Sequence, residues 1–328
     1  MISDSSLPYD LIVIGVSCLE NIVGMKHFPK IQSHKEIEVD GYWTGTGGNG
    51  LNVATYAHSL GVKVAFFSKV PLSIHSIITD TLIDVGLETS HLITEARSDA
   101  PQVILITNAN GEYSVLVSDR NGLAFTPTEV SPHHLLPRAQ YAHIDAFTLG
   151  ALGTIGQIKA ADKWVKTVQD SGALLSIDLS HALCDNQTQR ASNLIGSAHV
   201  VFGNTYEATK ITQTSDSVEA ATALLRMGPS DVIVKDGERG LVCASEKSMA
   251  IVPAFDLPVA DSIGAGDGVV AGTLFGLCRD LSLEDASRIG TAVAAMVCGG
   301  RGSQGASFDL QAVEQLLETG STDRSSIS

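Results

Sequence analysis

Short, uninterrupted apolar runs recur along the chain and set the first expectation. Leu11–Val16 (LIVIGV) is apolar throughout apart from its glycine, as a strand buried on both faces of a parallel sheet is. Similar runs begin at Val62, Tyr141, Ala173, His199 and Asp231. Between several of them apolar positions recur at helical spacing, notably over Thr154–Asp170 and Val218–Met227. Strand alternating with helix predicts βαβ units, and so an α/β fold with a central, mostly parallel sheet and helices on both faces.

Two segments break that rhythm. His34–Trp43 (HKEIEVDGYW) alternates charged and apolar residues, the pattern of a strand with one wet face. Pro101–Gly122 holds two strand-like runs joined by NANG, a good hairpin turn because Asn and Gly tolerate positive φ. Half-wet strands inserted early in such a chain predict a small β lid, discontinuous in sequence, over about residues 34–48 and 101–118. The plan is then one domain over residues 1–320 with a polar, frayed tail at 321–328.

Composition narrows the function classes. With 44% apolar residues the chain can bury a sizeable core, which excludes wholesale disorder. A formal net charge of −15 argues against nucleic acid or an anionic membrane as partner. It leaves a phosphate ligand open, because backbone N–H groups and a metal ion hold phosphate without a basic surface. Five dispersed cysteines, with no C-x-x-C and no zinc spacing, read as reduced thiols. The N-terminus lacks the basic start of a signal peptide, and no apolar run reaches the roughly 18–20 residues of a membrane span. The expected setting is soluble and cytoplasmic.

Gly45, Gly47 and Gly50 spell G-x-G-x-x-G, the dinucleotide-binding string. Such a loop should directly follow the first buried strand and be followed, about 20 positions on, by an acidic residue. Here it follows a half-wet strand, and Lys69 stands near where the acid belongs. The NAD reading fails on context. No G-x-x-x-x-G-K-[ST] loop and no protein-kinase H-R-D or D-F-G string occurs either.

A second glycine motif, DSIGAGD, begins at Asp261 and opens a long apolar helical run. Gly264, Ala265 and Gly266 carry little or no side chain, so consecutive N–H groups can turn toward one point at the helix N-terminus and bind an anion. Asp267 inside such a site repels the anion unless it performs chemistry. A base beside an anion hole suits phosphoryl transfer to a hydroxyl. The bland alternative is that Asp267 only caps the helix.

Together the two motifs resemble the ribokinase family of sugar and nucleoside kinases, the phosphofructokinase B type, over nearly the whole chain. The resemblance implies a ribokinase-like fold in which Asp267 is the catalytic base and Gly264–Gly266 the anion hole. Gly47, Gly48 and Asn52 fall on the family's substrate-binding Gly-Gly…Asn element. Asn204 and Glu207 fall on its Asn-x-x-Glu, which helps hold Mg2+ and the nucleotide phosphates, so Glu207 would act on the metal indirectly. Lys235 and Gly237 would lie near ATP, and Gly302 near the adenine. Asp261 would neighbour a monovalent cation, K+ if one is used. The half-wet strands match the family's lid, through which a homodimer is expected.

Some positions depart from the family pattern. Glu20 replaces the usual substrate-binding Asp and reaches one methylene further. Asn49 stands where ribose-specific members have Lys, and Val269 replaces a common Phe. Asp145 is either a second hydroxyl acceptor or structural, and Asp178 is a candidate for ordering metal-bound water. The expected reaction is ATP-dependent phosphorylation of a sugar or nucleoside. A phosphosugar kinase would need a cation near the Gly-Gly loop, and only Lys35 in the lid offers one. A catalytically idle sensor of the same fold would have no use for an intact Asp267.

Overall fold

The computed structural model describes residues 7–28, 36–96, 100–109, 112–118, 124–130, 136–151 and 153–320. In chain order its strands are β1 (Leu11–Ile14), β2 (Cys18–Gly24), β3 (Gly41–Gly47), β4 (Val64–Pro71), β5 (Leu92–Glu95), β6 (Val103–Thr107) and β7 (Tyr113–Val117). Then follow β8 (Tyr141–Ile144), β9 (Leu174–Asp178), β10 (Val200–Asn204), β11 (Asp231–Lys235), β12 (Leu241–Ser245) and β13 (Met249–Val252). Nine of them form the central sheet, in the order β13-β12-β11-β10-β9-β8-β1-β4-β5. From β11 to β5 every pairing is parallel; β12 and β13 add an antiparallel edge.

Full burial explains the uninterrupted apolar runs. Successive side chains of a strand point to opposite faces, and both faces of this sheet are covered. Leu11 and Val13 enter one core, against the helices Asn49–Ser59, Ala265–Cys278 and Leu283–Cys298. Ile12 and Ile14 enter the other, against Ile155–Ser171 and Thr188–Ser197. The expected helix at Thr154 begins there because Thr154 and Gln157 cap each other's backbone, and it ends at Gly172, whose φ is +80°. The helix expected over Val218–Met227 spans Ser217–Leu225, started by Asp216 accepting from two backbone N–H groups.

The remaining four strands form a separate sheet, β3-β2-β6-β7. Two features differ from the sequence expectation. β2 was not foreseen, although it is a central strand of this sheet, paired to both β3 and β6. The half-wet segment forms its strand at Gly41–Gly47, later than His34–Trp43, because its pairing runs from Gly24↔Gly41 to Cys18↔Gly47. Ile37 and Val39, exposed, precede it, while His34, Lys35 and the Asn110–Gly111 turn lie outside the described residues, as does the tail. The inner face of this sheet packs Cys18, Ile22, Val103 and Leu105 with Val16 and Ile263 of the main body. Among the described residues no helix is long and apolar enough to cross a membrane.

What aims the helix Ala265–Cys278 is its contact with Leu283–Cys298. A Cβ on Gly272 would lie 2.8 Å from the Gly290 Cα, and one on Gly276 would lie 2.6 Å from the Ala286 Cα. The two backbones are therefore pressed together with no room for side chains. Gly272→Val should overpack this seam and cost about 1–3 kcal/mol, read as a lower urea midpoint. An unchanged midpoint would show that the helices can separate without penalty.

Candidate active site

Polar groups converge at the C-terminal ends of β9, β10 and β11. Asp178, Asn204 and Lys235, the last residues of those strands, line a cavity of about 320 Å3. Gly264, Gly266 and Asp267 close it from the start of the helix Ala265–Cys278, Asn49 from the start of Asn49–Ser59, and Tyr113 from the small sheet. Ligands of open α/β sheets are held at this end, outside the strand termini.

The helix mouth carries no side-chain cap and could take an anion. Gly264 takes φ +80° at the N-cap. The first-turn N–H groups of a helix have no partners within it, and here Gly266 and Asp267 of that turn both line the cavity. A Cβ on Gly266 would lie 3.4 Å from the Lys235 Nζ, so that ammonium stands against the mouth. Lys235 is paired with Asp178 at 3.0 and 2.9 Å. Burial opposes its charge, but Asp178, Glu207 and Asp267 more than offset this and raise its pKa.

Asp267 is buried, and both of its oxygens are held by amides. Asn49 donates to Oδ1 at 2.9 Å and Asn52 to Oδ2 at 2.7 Å. Burial raises its pKa to about 7 against the pull of the two amides. A base poised near neutral pH, with a cation and helix amides across the same cavity, can take a proton from a hydroxyl while they hold developing negative charge.

Other residues singled out in the sequence are placed as follows. Asn204 and Glu207 form a capping box: Asn204 Oδ1 accepts from the Glu207 N–H at 2.9 Å, and Glu207 Oε2 from the Asn204 N–H at 2.8 Å. Both line the cavity, as does Gly237. Among the described residues no group of three or more His, Cys, Asp or Glu forms a ready-made metal cage. Mg2+ does not need one, since it keeps waters and takes one or two carboxylates plus phosphate oxygens. Asp178 and Glu207 on the cavity wall fit that mode.

Gly47 and Gly48 do not border the cavity. A Cβ on Gly47 would collide with the Glu20 carboxyl, and one on Gly48, at φ +102°, would lie 2.6 Å from the Val16 carbonyl oxygen. Glu20 accepts from the Gly48 N–H at 3.2 Å and from Ser303 Oγ at 2.9 Å, away from the cavity lining. Burial pushes its pKa to about 7 despite those bonds, and Asp261 adds to the rise. Asp145, fully buried, accepts from the Val16 and Thr148 N–H groups at 2.7 Å each, while its neighbours Ala146 and Phe147 reach the cavity. Asp261 accepts from Ile263 N–H at 3.0 Å and Gly302 N–H at 2.8 Å, joining the loops before and after the helix pair.

The loop Arg301–Gly305 carries contacts that sequence reasoning missed. Gln304 donates to Asn52 Oδ1 at 2.8 Å, and Tyr56 Oη donates to the Ser303 carbonyl. The Arg301 guanidinium lies 4.2 Å over the Trp43 ring of β3. The only sequence signal for this loop was its glycines; the partners are remote along the chain. Tyr113 was equally invisible, one aromatic in a half-wet strand.

A model of the pfkB family carbohydrate kinases matches residues 17–309. The chain is 27% identical to a 1-phosphofructokinase of Haloferax volcanii, over 79% of this chain and 81% of that protein. It is 23% identical to a 5-dehydro-2-deoxygluconokinase of Shouchella clausii, over 94% of this chain and 96% of that one. Its fold matches that of a putative ribokinase II from E. coli, solved in complex with ATP and Mg2+, with a TM-score of 0.79 at 17% identity over 94% and 99% of the two chains.

Two outcomes test this geometry. Gly47→Ala should destabilise the protein, and Glu20→Asp, one methylene shorter, should restore part of the loss. A double-mutant cycle by urea unfolding should give a coupling of about 1 kcal/mol or more; simple additivity would show that Glu20 does not fill that space. For Asp267, the folded-state pKa lies above the unfolded one, so the folded state binds the proton more tightly. Stability is then greatest below the ordinary carboxyl range and falls as pH rises toward about 7. Asp267→Asn should therefore be the more stable protein at pH 8, by on the order of 1–3 kcal/mol, with the gap closing below about pH 4. A gap independent of pH would refute the raised pKa.

Proposed function

The chain belongs to the pfkB family of carbohydrate kinases, and from that premise we propose that it transfers the γ-phosphoryl group of ATP to a hydroxyl of a sugar or nucleoside at this cavity, with Asp267 as general base. The observation that carries the reading is Asp267 itself: a buried carboxylate poised near neutrality, in the first turn of an uncapped helix that faces Lys235.

Each residue then has a task. Asp267 takes the hydroxyl proton as the acceptor oxygen forms its bond to the γ-phosphorus and the bond to the β-phosphate oxygen breaks. The N–H groups of Gly266 and Asp267 and the Lys235 ammonium face the charge on the transferred phosphoryl and leaving oxygens, whereas the Ala265 N–H, expected to join them, is donated to the Ser262 carbonyl at 3.2 Å. Asn204, Glu207 and Gly237 border the nucleotide phosphates. Asp178 and Glu207 would hold Mg2+, which would neutralise phosphate charge when bound. The small sheet acts as a lid, with Tyr113 on the cavity wall, and excludes the water that would compete as acceptor.

One observation favours a second reading, a phosphosugar kinase. That reading needs a cation near the Gly-Gly loop, and Arg301 supplies one beside Trp43, on the strand that ends in Gly47. Arg301→Ala should then raise KM for the sugar phosphate and leave turnover of free sugars unchanged.

The test is an ATP-consumption screen of the purified protein over free sugars, nucleosides and sugar phosphates, with Mg2+ and with or without K+. Asp267→Asn should keep ATP binding and lose about 10²–10⁴ in kcat on whichever class is turned over. Retention of more than a tenth of wild-type kcat would rule out Asp267 as the base. ATP binding without turnover on any class would favour the sensor.

A further inference from the structure

Resting on the reading of Asp267 as the base, we propose that Gln304 is a positioning residue that fixes which atom of the Asn52 side-chain amide faces Asp267. The two ends of a primary amide are nearly identical in shape, so packing alone does not choose between its two orientations. The choice falls to hydrogen-bond polarity on its far side. Gln304 Nε2 donates to Asn52 Oδ1 at 2.8 Å and to Thr55 Oγ1 at 3.1 Å. Thr55 Oγ1 also lies 3.2 Å from Gln304 Oε1, but its one hydroxyl proton has a nearer acceptor in the Leu51 carbonyl at 2.9 Å, so it receives from Gln304 Nε2. With Oδ1 taken, the Nδ2 of Asn52 points the other way and donates to Asp267 Oδ2 at 2.7 Å.

The chain Gln304 to Asn52 to Asp267 has one self-consistent polarity when Asp267 is ionised, since a carboxylate only accepts. Reversal would set Asn52 Oδ1 against Asp267, an arrangement that requires Asp267 to keep its proton. Gln304 thus favours the carboxylate form from a distance, and it is absent from the cavity lining. The charged and titratable groups facing Asp267 from other elements are Lys235 and Asp178 at strand ends, Tyr113 of the small sheet and Tyr56 of the helix Asn49–Ser59. None of them is hydrogen-bonded to the Gln304 side chain. The loop is held independently, by Gly302 to Asp261 and by Ser303 to Glu20 and Tyr56.

The experiment is the pH profile of kcat for wild type, Gln304→Met and Asp267→Asn on the substrate found by the screen. Methionine keeps the length, donates nothing and adds no charge. The acid limb of Gln304→Met should move up by about 0.5–1 pH unit, with the high-pH plateau and the KM for ATP close to wild type. Should methionine disturb the loop, seen as a lowered urea midpoint, Gln304→Leu gives the same readout. A limb within about 0.2 unit of wild type, or a uniform loss at every pH, would overturn the proposal while Asp267→Asn remains inactive. Full activity of Asp267→Asn would instead remove the base reading, and the proposal with it.

Discussion

The site depends on a buried carboxylate held by two amides. Asp267 sits in the first helical turn of Ala265–Cys278, and its partners Asn49 and Asn52 sit in the first turn of Asn49–Ser59. The pair of bonds ties together two helix N-termini that the sheet brings to the same edge. Burial alone would push the carboxyl further from ionisation; the amides hold it back to about 7. A fully solvated Asp would be a poor base at neutral pH, and a buried one without donors would stay protonated. The observed compromise depends on both helices keeping their register, which is why the glycine seam at Gly272 and Gly290 matters to chemistry at the far end of the helix.

A second buried carboxyl is organised around the same loop. Glu20 of β2 is bonded to Gly48 and to Ser303, and Gln304 bonds to Asn52. The small sheet, the Gly-Gly turn, the Asn49 helix and the Arg301–Gly305 loop therefore share one hydrogen-bond network, with Asp261 joining that loop to the helix mouth. A motion of the small sheet that pulls on β2 must act on Glu20 and so on Ser303, the residue next to Gln304. The small sheet and the surroundings of Asp267 are joined through neighbouring residues of one loop, and no long pathway is needed.

Much of this was open to sequence reasoning, for identifiable reasons. Continuous apolar runs follow directly from burial on both faces, so β1, β8, β9, β10 and β11 stood out. Glycines flanking an acid before an apolar helix mark an open N-terminus, so Asp267 stood out as well. β2 did not, because its inward positions include Glu20, a charge where a pattern-reader looks for an apolar side chain. The Gly-Gly pair stood out as a substrate-binding element, but no sequence pattern showed that the missing Cβ of Gly47 makes room for Glu20. Contacts of Arg301, Ser303 and Gln304 join segments at opposite ends of the chain, and no local pattern announces them.

Charge bears on the acceptor. The protein is strongly acidic, at −15, so an anionic substrate gains nothing from the field of the whole molecule and must be recognised by local cations. Lys235 on the cavity wall is already paired with Asp178. Arg301 is different: exposed, stacked on Trp43, and free of any ion pair among the described residues. Stacking orients the plane of a guanidinium while leaving its N–H edge available, the arrangement suited to bidentate capture of phosphate or carboxylate. A neutral sugar would leave that edge to water at little cost. Arg301 thus lies on the same loop that bonds to Asn52 through Gln304, so on the proposed reading a local cation for the acceptor and the setting of Asp267 would share one structural origin.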